Sequence, residues 1–246
     1  MTNNLTMIVP CFNEEKRWNK TYWSNLITIV DLNWVFVNDG SRDRTSEILA
    51  ELSIYPRVTT LELSQNGGKA EAIRFGMLKA LEQPGIDAIG FVDADAAFSY
   101  ETFRNVLDTY TGINHEYFES LWASRVALSG REINRDPRRH YIGRVISTFL
   151  GFGRALPYDT QCGLKIFTRT KNLELCLSTP FKTRWFFDIE IYSRLNVLNA
   201  HGISVWEHPL LGWDEVAESH INVREVFRIV KELYVIRKIL TKNVAF

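Results

Sequence analysis

At 246 residues the chain suits one α/β domain, and 46% hydrophobic against 24% charged residues supply a core of ordinary proportions. Lys plus Arg and Asp plus Glu both number 29, so no net field draws the protein to nucleic acid and any basic site must be local. Cys11, Cys162 and Cys176 are three, without C-x-x-C spacing, which argues against a disulfide framework or a cysteine zinc site and for a reducing cytoplasm.

The opening MTNNLTMIVPCFNEE has no basic segment and too short an apolar run for a signal peptide. No window reaches the roughly 18–20 apolar residues of a membrane-crossing helix. The expectation is a protein that is soluble or rests on a membrane surface. In chain order, Leu5–Pro10, Trp34–Asp39, Val58–Leu63 and Ala88–Asp95 read as strands. Their continuous apolar character predicts burial on both faces, as in a parallel sheet. The segments SRDRTSEILAEL and GGKAEAIRFGMLKALE between them carry helical spacing, the second closed by Pro84-Gly85. Farther on, Ser120–Leu128, Cys162–Arg169 and Gly202–Pro209 read as strands and Arg184–Leu198 as a helix. The pattern predicts a single domain with an open, mostly parallel sheet flanked by helices.

Ligands of such sheets bind beyond the carboxyl ends of the strands. There the chain places CFNEE, NDGSRD and DADAAF, an edge rich in acids. Asp93 and Asp95 are like charges at the end of an apolar run. If the strand breaks there, one carboxylate can reach a nucleotide sugar while the other holds a hard divalent cation, Mg²⁺ or Mn²⁺. A D-x-D is a common pair, and by itself it reads first as two solvated loop carboxylates.

The ordered series VPCFNEE, VNDGSRDRT, NGGKAEAIRFGM and DADAAF resembles the family 2 glycosyltransferases, whose nucleotide-sugar half has the Rossmann-like GT-A fold. Within that family, GREINRDPRRHYIGR, DTQCGLKIFTR, RWFFDIEI and the tail ESHINVREVFRIVKELYVIRKIL resemble dolichyl-phosphate β-glucosyltransferases and bacterial polyprenyl-phosphate relatives. The resemblance implies residues 1–98 as the nucleotide-sugar half, 99–220 as the acceptor half and 221–246 as a C-terminal amphipathic helix. It also implies inverting, metal-dependent transfer of a sugar, glucose from UDP-glucose first among donors, to a polyprenyl or dolichyl phosphate.

Carried onto this chain, Pro10, Asn13 and Glu14 match the first nucleotide loop, with Glu14 at the ribose or base. Asp39 matches an acceptor for the uracil imide, Gly68 and Lys69 (after Gly67) a phosphate approach, and Asp93 a nucleotide-sugar contact. Asp95 is the metal ligand; Ala97 stands where some relatives have a glutamine that completes the metal shell. Asp188 occupies the position of the catalytic base, or else orients an arginine or the acceptor. Asp159, Gln161 and Lys165 border the sugar and diphosphate.

Arg125, Arg131, Arg135, Arg138, Arg139 and Arg144 stand against only Glu132 and Asp136. Arginine's planar fork suits phosphate, so Arg125, Arg131 and Arg144 join Lys165 as candidate acceptor or phosphate contacts. A solvated helix face explains Arg138 and Arg139 equally well. In the tail, Val223, Val226, Phe227, Val230, Leu233, Tyr234 and Leu240 form one apolar face opposite a basic one. That helix either lies on an anionic membrane or packs on protein. A saccharide or lipid hydroxyl as acceptor, and GDP-mannose as donor, stay open. A nucleotidyltransferase is disfavoured because no glycine-rich loop follows the first strand; a non-catalytic nucleotide-sugar-binding protein is disfavoured by the paired aspartates.

Overall fold

The run Ala88–Val92 is buried along its whole length, as a strand covered on both faces must be. The computed structural model of the chain describes residues 4–134, 156–215 and 223–242, with side chains of the last stretch described from 228 to 240. Its elements are β1 (Leu5–Cys11), α1 (Lys20–Ile29), β2 (Asn33–Asn38), α2 (Thr45–Ala50), a 3₁₀ turn (Glu51–Ile54), β3 (Val58–Glu62) and α3 (Lys69–Leu81). They continue with β4 (Ala88–Val92), α4 (Tyr100–Gly112), β5 (Ser120–Ser124), β6 (Glu132–Asn134) and β7 (Leu164–Thr168). The chain then forms α5 (Lys171–Ser178), α6 (Phe187–Leu198), β8 (Val205–Pro209), β9 (Gly212–Asp214) and α7 (Val223–Lys242).

Seven strands form one sheet in the order β3-β2-β1-β4-β7-β5-β8, and β6 pairs with β9 in a small second sheet. All neighbours in the large sheet are parallel except where β7 runs against β4 and β5. The expected mostly parallel α/β sheet is therefore the observed one. Because β7 is reversed, its beginning lies at the edge where β4 and β5 end.

Side chains alternate between two apolar layers. Met7, Val9, Trp34 and Phe36 face α1 and α4, whereas Ile8, Val35, Val37 and Phe91 face α3, α5 and α6. Three of the helices, α1, α4 and α5, have amphipathic sequences with side-chain caps, Thr170 capping Leu173 N–H at α5. Asn19 caps Tyr22 N–H at α1, and Ser99 caps Thr102 N–H at α4. The buried stripe of α1 (Tyr22, Trp23, Leu26, Ile27) carries Trp23 into an aromatic cluster with Trp34 and Phe36. Trp23 Nε1 also donates to Ala94 O at 3.1 Å, anchoring the turn between the paired aspartates.

Candidate active site

β4 stops at Val92, and the backbone turns through Asp93–Ala97 with Ala96 in the left-handed region (φ 59°). The break frees the two carboxylates from strict alternation. Asp93 N–H donates to Gly163 O at 3.0 Å, and a Cβ on Gly163 would fall 2.0 Å from Asp93 Oδ2. Only glycine lets the start of β7 lie this close to the aspartate. Asp95 Oδ1 accepts from Ala97 N–H at 3.2 Å. Burial, then the neighbouring Asp93 charge, raises the Asp95 carboxyl above its ordinary value.

Cations meet this pair from one side. Lys69, the first residue of α3, has its Nζ 2.5 Å from Asp93 Oδ1. Desolvation in the cleft opposes its charge, but Asp93, Asp188 and Asp95 outweigh it and raise the ammonium above its ordinary value. Lys165 lies on β7 between Phe91 and Trp122, its Nζ 5.3 and 4.7 Å from their ring centres. That ammonium is 2.6 Å from Asp188 Oδ1 and donates to Cys162 O at 2.6 Å.

The loops after β1 and β2 are knitted together. Asn13 (φ 52°) accepts from Arg42 N–H at 3.0 Å, and its own N–H donates to Ser41 Oγ at 3.0 Å. Glu14 is buried: its N–H donates to Thr45 Oγ1 at 2.7 Å and its Oε1 accepts from Arg17 at 2.6 Å. Glu14 Oε2 is enclosed without a hydrogen-bond partner among the described residues. Burial raises this carboxyl too, against the pull of Arg17, with Asp95 adding to the rise. Asp39 Oδ1 accepts from Gly67 N–H at 2.7 Å, and Oδ2 from Gly68 N–H and Asn66 Nδ2, both at 2.8 Å. Glu14, Asp39, Lys69, Asp93, Asp95 and Asp188 thus gather around the strand ends.

Residues 6–186 match Glycosyl transferase family 2. The chain belongs to this family. This family 2 glycosyltransferase is 29% identical to dolichyl-phosphate beta-glucosyltransferase ALG5C of Trichomonas vaginalis, over 93% of the chain and 69% of that protein. Its fold is shared by the mannosyltransferase PcManGT of Pyrobaculum calidifontis, solved with GDP-Man and Mn²⁺ (TM-score 0.61, 17% identity, 100% of this chain and 66% of the other). It is shared too by glucosyl-3-phosphoglycerate synthase of Mycobacterium tuberculosis, solved with Mn²⁺, UDP and glucosyl-3-phosphoglycerate (TM-score 0.60, 16% identity, 98% and 78%). The fold is GT-A.

Two candidate phosphate contacts of the glycosyltransferase need correction. Lys165 is fully buried and ion-paired with Asp188, so its ammonium is not presented at the surface to a phosphate. Arg125 spends its fork on Asp159, with Nε–Oδ2 at 2.7 Å and Nη2–Oδ1 at 2.8 Å, and covers the Trp213 ring. Arg125 N–H donates to the same carboxylate at 3.0 Å, which turns the chain away and ends β5 at Ser124, earlier than the expected Leu128. Arg131 forms no ion pair among the described residues. Arg144 lies outside them, with Arg135, Arg138 and Arg139.

Pro10 stays half-buried within β1, opposite Val37. Glu190 is wholly internal: it accepts from Lys182 and Thr183 N–H at 3.0 Å and pairs with buried Arg194 at 2.7 Å. Cys162 is buried, its thiol pushed up to about 12 by burial, which makes it unsuited to nucleophilic work.

The tail packs on the domain with a different stripe from the one expected. Ile236, Ile239 and Leu240 meet Phe186 and Ile189, while Val230 and Tyr234 face outward, 59% and 73% exposed. Lys231, Arg237 and Lys238 are exposed as well. No helix among the described residues is long and apolar enough to cross a membrane. Arg184, absent from the sequence-derived site, donates to Gly67 O at 2.7 Å. The signal for it is slight: one arginine before the three aromatics Trp185, Phe186 and Phe187.

Proposed function

We propose that this glycosyltransferase moves glucose from UDP-glucose, with inversion, to a polyprenyl or dolichyl phosphate. The observation that carries the reading is the β4 turn, where Asp93 and Asp95 face each other's charge beside Lys69. The names of the curated relatives support the donor sugar and the lipid phosphate.

The residues suit a hard divalent ion. Asp95 brings a carboxylate whose proton affinity is raised first by burial and then by its like-charged neighbour, and a dication relieves that repulsion. The described residues hold no cluster of three acidic, histidine or cysteine ligands, so Asp95 would hold Mg²⁺ or Mn²⁺ with substrate phosphate and water filling the shell. When bound, the ion neutralises charge growing on the departing diphosphate. Lys69 adds a fixed positive charge at the same edge. Glu14, whose buried Oε2 has no hydrogen-bond partner among the described residues, is the candidate acceptor for a ribose hydroxyl.

A phosphate acceptor suits Asp188 best. A hydroxyl nucleophile gains about 10²–10⁴-fold from a base, but the charge of Asp188 is already balanced by Lys165 at 2.6 Å. A phosphate monoester is anionic at neutral pH and needs positioning more than deprotonation. Asp188 then fixes Lys165 and adds to the field around Lys69. Arg131 and Arg144 remain the basic candidates for the acceptor phosphate. The outward face of α7, with Lys231 and Tyr234, supports a peripheral seat on the cytoplasmic face of a membrane, where such a lipid resides.

Calorimetric titration of the full chain with UDP-glucose and GDP-mannose, with and without Mn²⁺, tests the donor. Metal-dependent preference for UDP-glucose is expected; preference for GDP-mannose would overturn it.

A further inference from the structure

Arg184 lies in the turn before α6 and reaches the loop that leads into α3. Its Nη2 donates to Gly67 O at 2.7 Å and to Asn66 O at 3.5 Å. The guanidinium also covers Gly68, where a Cβ would come 2.9 Å from Arg184 Nε and where φ is +90°. The same loop is held from its other side by Asp39, which takes both glycine N–H groups. Carbonyls are gripped by an arginine and amides by an aspartate, so the loop has two clamps of opposite sign.

The arginine clamp is itself anchored on the tail. The N–H groups of Arg184 and Trp185 both donate to Glu232 Oε2, at 2.9 and 2.8 Å. Glu232 is buried on α7, one helical turn before Ile236, whose layer with Ile239 and Leu240 seats the helix against Phe186 and Ile189. A carboxylate accepting backbone N–H bonds is a charge-assisted contact, stronger than a neutral one. It exists only while the helix is seated. A continuous set of bonds therefore runs from α7 through Arg184 to the loop beside Lys69.

We propose that Glu232 and Arg184 are positioning residues that couple the seating of the tail helix to the geometry of the Asn66–Gly68 loop and, through it, to affinity for the nucleotide sugar. The last step rests on the donor reading above; the coupling of helix to loop does not. Both residues act through the loop. Removing the acceptor leaves two N–H groups in search of partners, and removing the guanidinium leaves the loop with the Asp39 clamp alone.

Hydrogen–deuterium exchange on the full chain tests this, comparing wild type with Arg184→Ala, Arg184→Lys, Glu232→Ala and the double variant Arg184→Ala/Glu232→Ala. Exchange at Gly67 and Gly68 should rise about tenfold or more in Arg184→Ala and in Glu232→Ala, with β1 and β4 still protected. The double variant should resemble the worse single one, because both break one chain of contacts. Arg184→Lys should recover part of the protection. The KM for nucleotide sugar should rise about tenfold with kcat within about twofold, the pattern of lost binding shared by ground and transition states. Unchanged loop exchange in Arg184→Ala, an exposed truncation that spares the core, would overturn the proposal, as would additive effects in the double variant. Faster exchange with unaltered KM would overturn the step from loop to donor. A loop loosened by both substitutions yet unprotected by added UDP in wild type sustains the coupling and contradicts the donor assignment instead.

Discussion

Lys69 Nζ lies 2.5 Å from Asp93 Oδ1, joining the first residue of α3 to the first residue beyond β4. The two positions follow β3 and β4, which are not neighbours in the sheet, and the parallel strands bring them to one edge. Lys69→Met should lower kcat/KM for transfer about 10- to 100-fold, because a preorganised cation is lost beside the leaving diphosphate. Steady-state kinetics would check this, and a change under about twofold would assign Lys69 to the Asp93 pair alone.

Asp95→Asn should abolish metal-dependent turnover by about 10²-fold or more while metal-free nucleotide binding persists. The amide keeps the shape and removes the charge that a dication requires. Nucleotide titration with and without Mn²⁺ separates the two; full activity would refute the metal role.

How far these residues could be read from the chain depends on what each one needs. Asp39, Asp93 and Asp95 were legible because an acid directly after a buried apolar run has few places to go except the sheet edge. Lys165 and Arg125 were misjudged because their burial is decided by Asp188 and Asp159, 23 and 34 residues away by their numbering. A lone cation in an apolar strand looks like a ligand contact until its partner is located. The contact of Glu232 with Arg184 spans 48 residues and leaves no local pattern at all. In the tail, helical periodicity was clear, but Val230 and Leu240 proved to lie on different sides of the packed helix.

Arg125→Ala should destabilise the fold by about 3–5 kcal/mol, since it removes the guanidinium that balances the buried Asp159 charge. Arg125→Ala/Asp159→Ala should cost less than the sum of the single changes. Urea denaturation of the four proteins measures this. Additive losses, or a stable Arg125→Ala protein with impaired acceptor use alone, would restore Arg125 as a phosphate contact.

The cysteines predict alkaline lability. Burial pushes the thiols of Cys162 and Cys176 up to about 12 from an ordinary 9.0. Raised folded values mean the folded state binds protons that the unfolded state releases, so this contribution is fully present below pH 9 and is lost as pH rises toward 12. Cys162→Ala/Cys176→Ala should flatten the fall in denaturation midpoint across that window; an unchanged slope would rule the thiols out.

Arg228→Glu/Lys231→Glu should reduce co-sedimentation with anionic vesicles while leaving thermal stability unchanged, since both side chains are exposed on α7. Equal binding by variant and wild type would leave α7 as a packing helix only.

The most direct test is a mass-spectrometric product screen with Mg²⁺ or Mn²⁺, UDP-glucose among a panel of nucleotide sugars, and polyprenyl phosphate beside its dephosphorylated polyprenol. The expected result is a hexosyl-phosphate lipid formed from UDP-glucose, with nothing formed on the polyprenol. A glycosylated polyprenol, or nucleotide release with no product on the lipid phosphate, would contradict the proposed acceptor and return Asp188 to the role of base.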